Sequence, residues 1–237
     1  MSDRAGSPGF ARRLPKAEIH LHLEGSIELA TLARIAGGEG AGSRARLAAL
    51  YTHRDFPDFL QNFRRVCAEI RSPGDFASIT EALSRRLEEE NVRYAEVFCS
   101  PTIFRRAHGM SAGEILDAAC GAARRREKAG GPRLRFLLDG VRQFGIPAME
   151  EMVETAAACR KYDVIGIGMG GDERSAPTAA FAGPYREARR PPGSRTWPLS
   201  VTRRFPHGRP PGVGRRPAPP ARRVAGKWPA PCAARLP

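Results

Sequence analysis

Two histidines near the N-terminus have the spacing of a metal-binding pair. His20 and His22 lie in residues 17–23, where apolar residues occupy every second position, and this alternation predicts a β-strand. Side chains at positions i and i+2 of a strand project from the same face, so the two imidazoles could share one divalent metal ion. The same pattern also arises by chance, and two imidazoles alone do not complete a catalytic zinc site.

A glycine-rich segment ends another apolar run. Residues 166–171 read Gly-Ile-Gly-Met-Gly-Gly and are followed by Asp172 and Glu173. Glycines at the end of a strand allow backbone N–H groups to approach a ligand closely. They serve a tight turn between strand and helix equally well, and the sequence leaves both interpretations open.

Aromatic residues are concentrated on one predicted helix. Phe56, Phe59 and Phe63 recur at helical spacing, together with Leu60. Most such stripes belong to a protein core. The alternative is that these rings form the wall of an apolar pocket in which a flat heterocycle is buried.

Predicted strands and helices alternate along most of the chain. Strands are predicted at 17–23, 92–99, 134–139 and 164–169, and residues 27–90 read as a long helical insertion whose last helix takes Asp75 as its N-cap. Ser111 and Glu114 form a capping-box pattern that predicts the start of a further helix. This alternation predicts an α/β fold with a parallel sheet, either a barrel or a doubly wound sheet.

Charge separates the chain into a nearly neutral body and a basic tail. Residues 189–237 contain eleven Arg, one Lys and no acid, and thus supply +12 of the net charge of +14. The same stretch holds twelve prolines, so we expect disorder there, and we expect the polar lead-in at 1–13 to be flexible. No secretory signal or membrane span is evident, and the five cysteines form no C-x-x-C pair, so we expect a cytoplasmic protein with no membrane partner.

Three ordered blocks of sequence resemble one family. Residues 14–26, Leu-Pro-Lys-Ala-Glu-Ile-His-Leu-His-Leu-Glu-Gly-Ser, are similar to the opening signature of the adenosine deaminase family, and residues 91–101 and 164–173 look like its second and fourth strands. The resemblance covers residues 14–188. It implies an incomplete (β/α)8 TIM-type barrel of the metal-dependent hydrolase class, with about four strands present and the site at their carboxyl ends.

The resemblance also implies roles for individual residues. His20 and His22 match two zinc ligands, and Glu24 matches an acidic position that contacts ribose in nucleoside-using members. The backbone N–H of Gly171 matches one that faces the purine ring. The residues that the resemblance places at the substrate are His22, Glu24, Phe59, Phe63 and Gly171.

The activity implied by the resemblance is zinc-dependent hydrolytic deamination of a small-molecule purine. Adenosine, converted to inosine and ammonia, is the first expectation, and adenine or aminodeoxyfutalosine are the alternatives. In the family, Zn²⁺ lowers the pKa of a bound water that attacks the purine, and a glutamate handles the proton transfer.

The sequence departs from the family after residue 188. The segments that supply the third zinc histidine, the catalytic glutamate and the later aspartates do not occur, so no catalytic residue is assigned to this chain. A shift of reading frame near residues 189–192 is our leading hypothesis for the basic tail. Four strands alone would leave unpaired sheet edges, and such a half barrel is expected to be inactive, unstable or prone to aggregation.

A different class of function follows if the tail is genuine. The chain would then be a non-catalytic fragment whose basic tail binds nucleic acid through counterion release. Only Trp197, Phe205 and Trp228 in the tail could stack on bases. We therefore do not expect a nucleic-acid partner.

Overall fold

A parallel β-sheet organises the part of the chain that the computed structural model describes, namely residues 8–38, 40–172, 175–189 and 200–201. The strands are β1 Lys16–His22, β2 Val92–Cys99, β3 Arg133–Val141, β4 Val164–Gly170 and the two-residue β5 Ser200–Val201. They lie side by side in the order β1-β2-β3-β4-β5, and every neighbouring pair is parallel. This sequential order is typical of a (β/α)8 barrel, whereas a doubly wound sheet reverses its order at a switch point.

Helices fill the connections between the strands. Four of them, preceded by the short 3-10 helix Glu24–Ser26, occupy the predicted helical insertion between β1 and β2. The helices in the described ranges are α1 Pro8–Arg13, α2 Leu29–Ile35, α3 Ala41–Ala49, α4 Phe56–Ala68, α5 Pro73–Glu89, α6 Pro101–His108, α7 Ala112–Lys128, α8 Gly145–Ala158 and α9 Ala182–Ala188. The predicted α/β alternation is therefore confirmed.

Two helices begin at complete capping boxes. In α7, Ser111 and Glu114 exchange the two hydrogen bonds that the sequence pattern predicts. In α5, the N-cap is Ser72, and Asp75 is the third helical residue of its capping box. The prediction of Asp75 as N-cap was wrong by one turn, because Pro73 at the first helical position continues the helix towards Ser72.

The described part of the N-terminal lead-in forms helix α1. The Nζ atom of Lys16 donates to the carbonyl oxygens of Ala11, at 2.8 Å, and Leu14, at 2.9 Å. The side-chain amide of Asn91 donates to the carbonyl oxygen of Arg13 at 2.6 Å. These bonds satisfy carbonyl groups that the end of a helix leaves without partners, so regular structure occurs at 8–13, where none was expected. Residues 1–7 lie outside the described residues.

The hydrophobic core lies between the outer face of the sheet and the helices. Phe76 of α5 and Phe104 of α6 are fully buried and meet edge to face with ring centroids 4.8 Å apart. Side chains of β3 and β4 that point to this face include Leu138 and Ile167, both fully buried. The four cysteines in the described ranges are buried free thiols. The alternate residues of each strand point to the opposite, concave face, which carries the candidate site.

The two edges of the sheet differ. Within the described residues β1 pairs only with β2, and Ile19 on β1 is 63% exposed. At the other edge, Ser200 and Val201 pair with Gly166 and Ile167 of β4. Residues 190–199 and 202–237, which make up nearly all of the tail for which disorder was predicted, lie outside the described residues. No helix in the described ranges has the length and hydropathy that a membrane span requires.

Candidate metal and substrate site

The two histidines of the H-x-H motif lie at the carboxyl end of β1 and point to the concave face of the sheet. Their ring centroids are 5.3 Å apart, with the rings inclined at 67°. The ring of Phe98 on β2 packs against both, at 4.8 Å from His20 and 5.2 Å from His22. Phe98 is buried, whereas His20 is exposed. The phenyl ring thus packs against both imidazoles and fixes their positions relative to each other.

The donor set of these two side chains fits a zinc ion in part. Imidazole nitrogens are preferred zinc ligands, and the strand period of two brings both rings to one side. A catalytic zinc site has three protein ligands, however, and the described residues contain no group of three or more His, Cys, Asp or Glu side chains arranged to hold a metal. Within the described residues, the two imidazoles therefore amount to no more than two of the three ligands that such a site needs.

Asp139 is a further member of the site that the sequence analysis did not single out. It lies on β3 with only 4% of its surface exposed, and its Oδ2 is 3.7 Å from Nδ1 of His22. An acid directly after the apolar run 136–138 was the available signal, because an ionised carboxylate is costly to bury unless it has a partner. The structure thus brings together side chains of β1 and β3 at one end of the sheet.

The glycines of β4 give room to neighbouring side chains. A Cβ atom at Gly168 would lie 2.5 Å from Cε1 of Phe98, and one at Gly170 would lie 2.7 Å from Oδ2 of Asp139. Gly171 has a φ of +98°, which favours glycine, and a Cβ there would meet the side-chain amide of Gln143. The first two positions are therefore glycine because of close packing, and the third because of the turn.

Glu24 lies inside the fold and not on the exposed surface of the concave face. It is 1% exposed, and its Oε1 accepts a hydrogen bond of 2.8 Å from the backbone N–H of Ser100, where β2 ends. Burial raises the pKa of Glu24, while the hydrogen bonds from Ser100 and from the thiol of Cys99 oppose that change. Its other oxygen, Oε2, is buried and has no hydrogen-bond partner in the described part of the chain.

The aromatic face of α4 lies beside the carboxyl end of β1. Asp55 caps this helix by accepting a hydrogen bond of 2.8 Å from the backbone N–H of Asp58. A Cβ atom at Gly25 would be 3.5 Å from Cβ of His22 and 3.8 Å from the ring of Phe63, so Phe63 is close to the histidine pair. Phe59 follows on the same stripe, with ring centroids 6.0 Å apart, and is 37% exposed.

The sequential parallel sheet and the histidine pair on its first strand define the class: part of a (β/α)8 barrel of the metal-dependent hydrolase type. The particular family follows from comparison with known proteins. Residues 15–196 match the adenosine deaminase family, and the chain belongs to it.

Three known proteins of this kind are similar to the chain in sequence or in structure. An aminodeoxyfutalosine deaminase of Acidothermus cellulolyticus is 32% identical over 185 residues, which cover 76% of this chain and 52% of that protein. An adenine deaminase of a Chelativorans species is 32% identical over 177 residues, covering 74% and 54%. The crystal structure of a zinc-bound amidohydrolase from Burkholderia ambifaria superposes with a TM-score of 0.67 at 25% identity, covering 78% and 54%. The chain spans about half the length of these relatives.

Proposed function

We propose that the concave face of this chain is the first half of the active site of a zinc-dependent aminohydrolase that removes the amino group of a purine-type substrate. The observation that carries the proposal is the pair His20 and His22, which project together from the carboxyl end of β1 in a member of the adenosine deaminase family. In barrels of this kind the carboxyl ends of the strands carry the active site.

His20 and His22 are the residues that would hold the zinc ion. When bound, the metal would make a water molecule a nucleophile at neutral pH by lowering its pKa. Zinc in the related amidohydrolase from Burkholderia ambifaria supports this choice of metal. The contribution of the chain itself is to fix the directions of two imidazoles, by a strand and by the ring of Phe98, which packs against both.

The substrate would lie between the histidine pair and helix α4. Phe59 and Phe63 offer ring faces for a purine, and the partial exposure of Phe59 supports a ligand contact there. The backbone N–H of Gly171 is proposed to face the ring. The expected contact between Glu24 and the substrate would require a path to its Oε2, which is buried and has no hydrogen-bond partner among the described residues.

Adenine and aminodeoxyfutalosine are the favoured substrates. They are the substrates in the names of the two curated relatives described above, whereas adenosine, the first expectation from the sequence, is in neither name. Both favoured compounds carry the amino group on a purine-type ring. The reaction proposed is the same for all three, namely addition of water and release of ammonia.

The chemistry needs groups that this sequence does not contain, above all the general acid and base. We propose that an intact reading frame continues beyond residue 188 into the second half of the barrel. Sequencing the gene through about codons 180–240 and translating all frames tests this idea. It is supported if another frame encodes a His-Ala-Gly-Glu segment followed by an aspartate pair, and it fails if no frame does.

A chimeric barrel tests the proposed activity. Residues 14–188 would replace the matching half of the Acidothermus enzyme in one chimera and of the Chelativorans enzyme in another. We expect zinc-dependent release of ammonia from aminodeoxyfutalosine in the first and from adenine in the second, with adenosine assayed beside them. His20→Ala and His22→Ala should reduce the rate to background, whereas His108→Ala, an exposed histidine of α6, should not. Folded, zinc-loaded chimeras that release no ammonia would refute the proposal.

A further inference from the structure

Asp139 is a buried acid in an apolar part of β3, where an ionised carboxylate requires compensation. It is 4% exposed, it belongs to a strand whose neighbouring positions are apolar, and its Oδ2 is 3.7 Å from Nδ1 of His22. Burial of an ionised carboxylate is costly unless a partner of opposite charge or a hydrogen-bond donor compensates. The separation from Nδ1 of His22 exceeds hydrogen-bond distance, so the imidazole compensates the carboxylate electrostatically, with a proton on Nδ1 directed towards it.

Strand β4 is shaped to accommodate this carboxylate. Asp139 is paired in register with Gly168, and Gly170 follows two residues later on the same face. Cβ atoms at these glycines would lie 2.9 Å from Oδ1 and 2.7 Å from Oδ2 of Asp139. Both contacts are shorter than van der Waals distance, so any larger residue at either place would displace the carboxyl group from its position opposite His22.

The orientation of a metal-binding imidazole depends on what its second nitrogen contacts. A carboxylate at Nδ1 selects the tautomer that carries the proton there and leaves the lone pair on Nε2. We propose that Asp139 is a positioning residue of the metal site: its carboxylate, 3.7 Å from Nδ1 of His22, favours a proton on that nitrogen and leaves Nε2 as the atom that would bind a zinc ion. This inference rests on the proposed function for the identity of the metal, but the tautomer of His22 does not depend on it.

The tautomer is measurable in the full chain without metal. Protein labelled with ¹⁵N in histidine, kept in EDTA at a pH at which the ring is neutral, gives the protonated nitrogen of each imidazole from long-range ¹H–¹⁵N correlation spectra. We expect the proton of His22 on Nδ1 in the wild type and on Nε2 in Asp139→Ala. Asp117→Ala, which removes an exposed acid of α7, is the control and should leave His22 unchanged. A wild-type proton on Nε2, or an Asp139→Ala variant that keeps it on Nδ1, would overturn the inference.

Zinc affinity gives the second readout. Loss of the group that orients a metal ligand typically weakens metal binding by about 10–100-fold, and we expect a loss in this range for Asp139→Ala and none for Asp117→Ala. An unchanged affinity with a changed tautomer would overturn the role towards the metal. A wild type that binds no zinc, but carries the proton on Nδ1, would contradict the proposed function and leave the contact between Asp139 and His22 intact.

Discussion

Gly168→Ala tests whether close packing explains the glycines of β4. In the present structure, the added Cβ would lie 2.5 Å from Cε1 and 2.9 Å from Cδ1 of Phe98, and 2.9 Å from Oδ1 of Asp139. The Phe98 ring is 1% exposed and packs on His20 and His22, so it cannot swing into solvent. The methyl group must therefore displace the ring or the strand.

The expected cost can be bounded. Overpacking by one carbon in a buried site costs about 1–3 kcal/mol. Replacing glycine by alanine within a strand raises the free energy of unfolding by about 0.5–1 kcal/mol, because glycine loses more conformational freedom on folding. The free energy of unfolding should therefore fall by up to about 2.5 kcal/mol, measured by urea denaturation followed by circular dichroism.

Gly42→Ala on α3 is the matched control. Apart from the backbone of its own helix and its chain neighbours, no atom of the described residues lies within 4 Å of a Cβ at this position, so the variant should unfold at the same urea concentration as the wild type or slightly above it. The double variant Gly168→Ala/Phe98→Leu should lose less stability than the two single changes added together, because the smaller side chain makes room for the methyl group. Equal stability of Gly168→Ala and Gly42→Ala would refute the reasoning.

Three further predictions concern the edge, a helix cap and the buried acid. Ile19→Lys at the edge of β1 should raise the monomer fraction in size-exclusion chromatography without lowering the unfolding midpoint, whereas Leu21→Lys, on the face packed against the core, should lower that midpoint. Ser72→Ala should reduce the free energy of unfolding by about 1 kcal/mol, since it removes the N-cap of α5. Because burial raises the pKa of Glu24 above 4.5, the folded state holds this proton more tightly than the unfolded state. Stability is therefore lost as the pH rises above about 4.5 through the folded-state pKa, and in EDTA Glu24→Gln should show a flatter pH profile than the wild type.

Periodicity in the sequence predicted the regular elements and, with them, the placement of the two histidines on one face of β1. The period of two in residues 17–23 is sufficient to place His20 and His22 on one face, because that placement depends only on a single strand. The capping box of Ser111 and Glu114 is equally local, and the structure contains it. Local sequence patterns were therefore sufficient to predict both the start of α7 and the positions of the first two candidate ligands.

Contacts between distant strands were not predictable in this way. The glycines at 168 and 170 were open to two interpretations because their neighbours, Phe98 and Asp139, come from other strands. Asp139 was missed for the same reason, since its proximity to His22 depends on the register of β1, β2 and β3. Burial of Glu24 depends likewise on the place where β2 ends, at Ser100.

Zinc binding by the full chain tests the central claim most directly. Competition with a chromophoric chelator would be compared for the wild type, the double variant His20→Ala/His22→Ala and the control His108→Ala. If the concave face is the first half of an aminohydrolase site, the double variant loses a zinc site that the wild type and His108→Ala retain. Equal zinc binding by all three proteins would contradict the account.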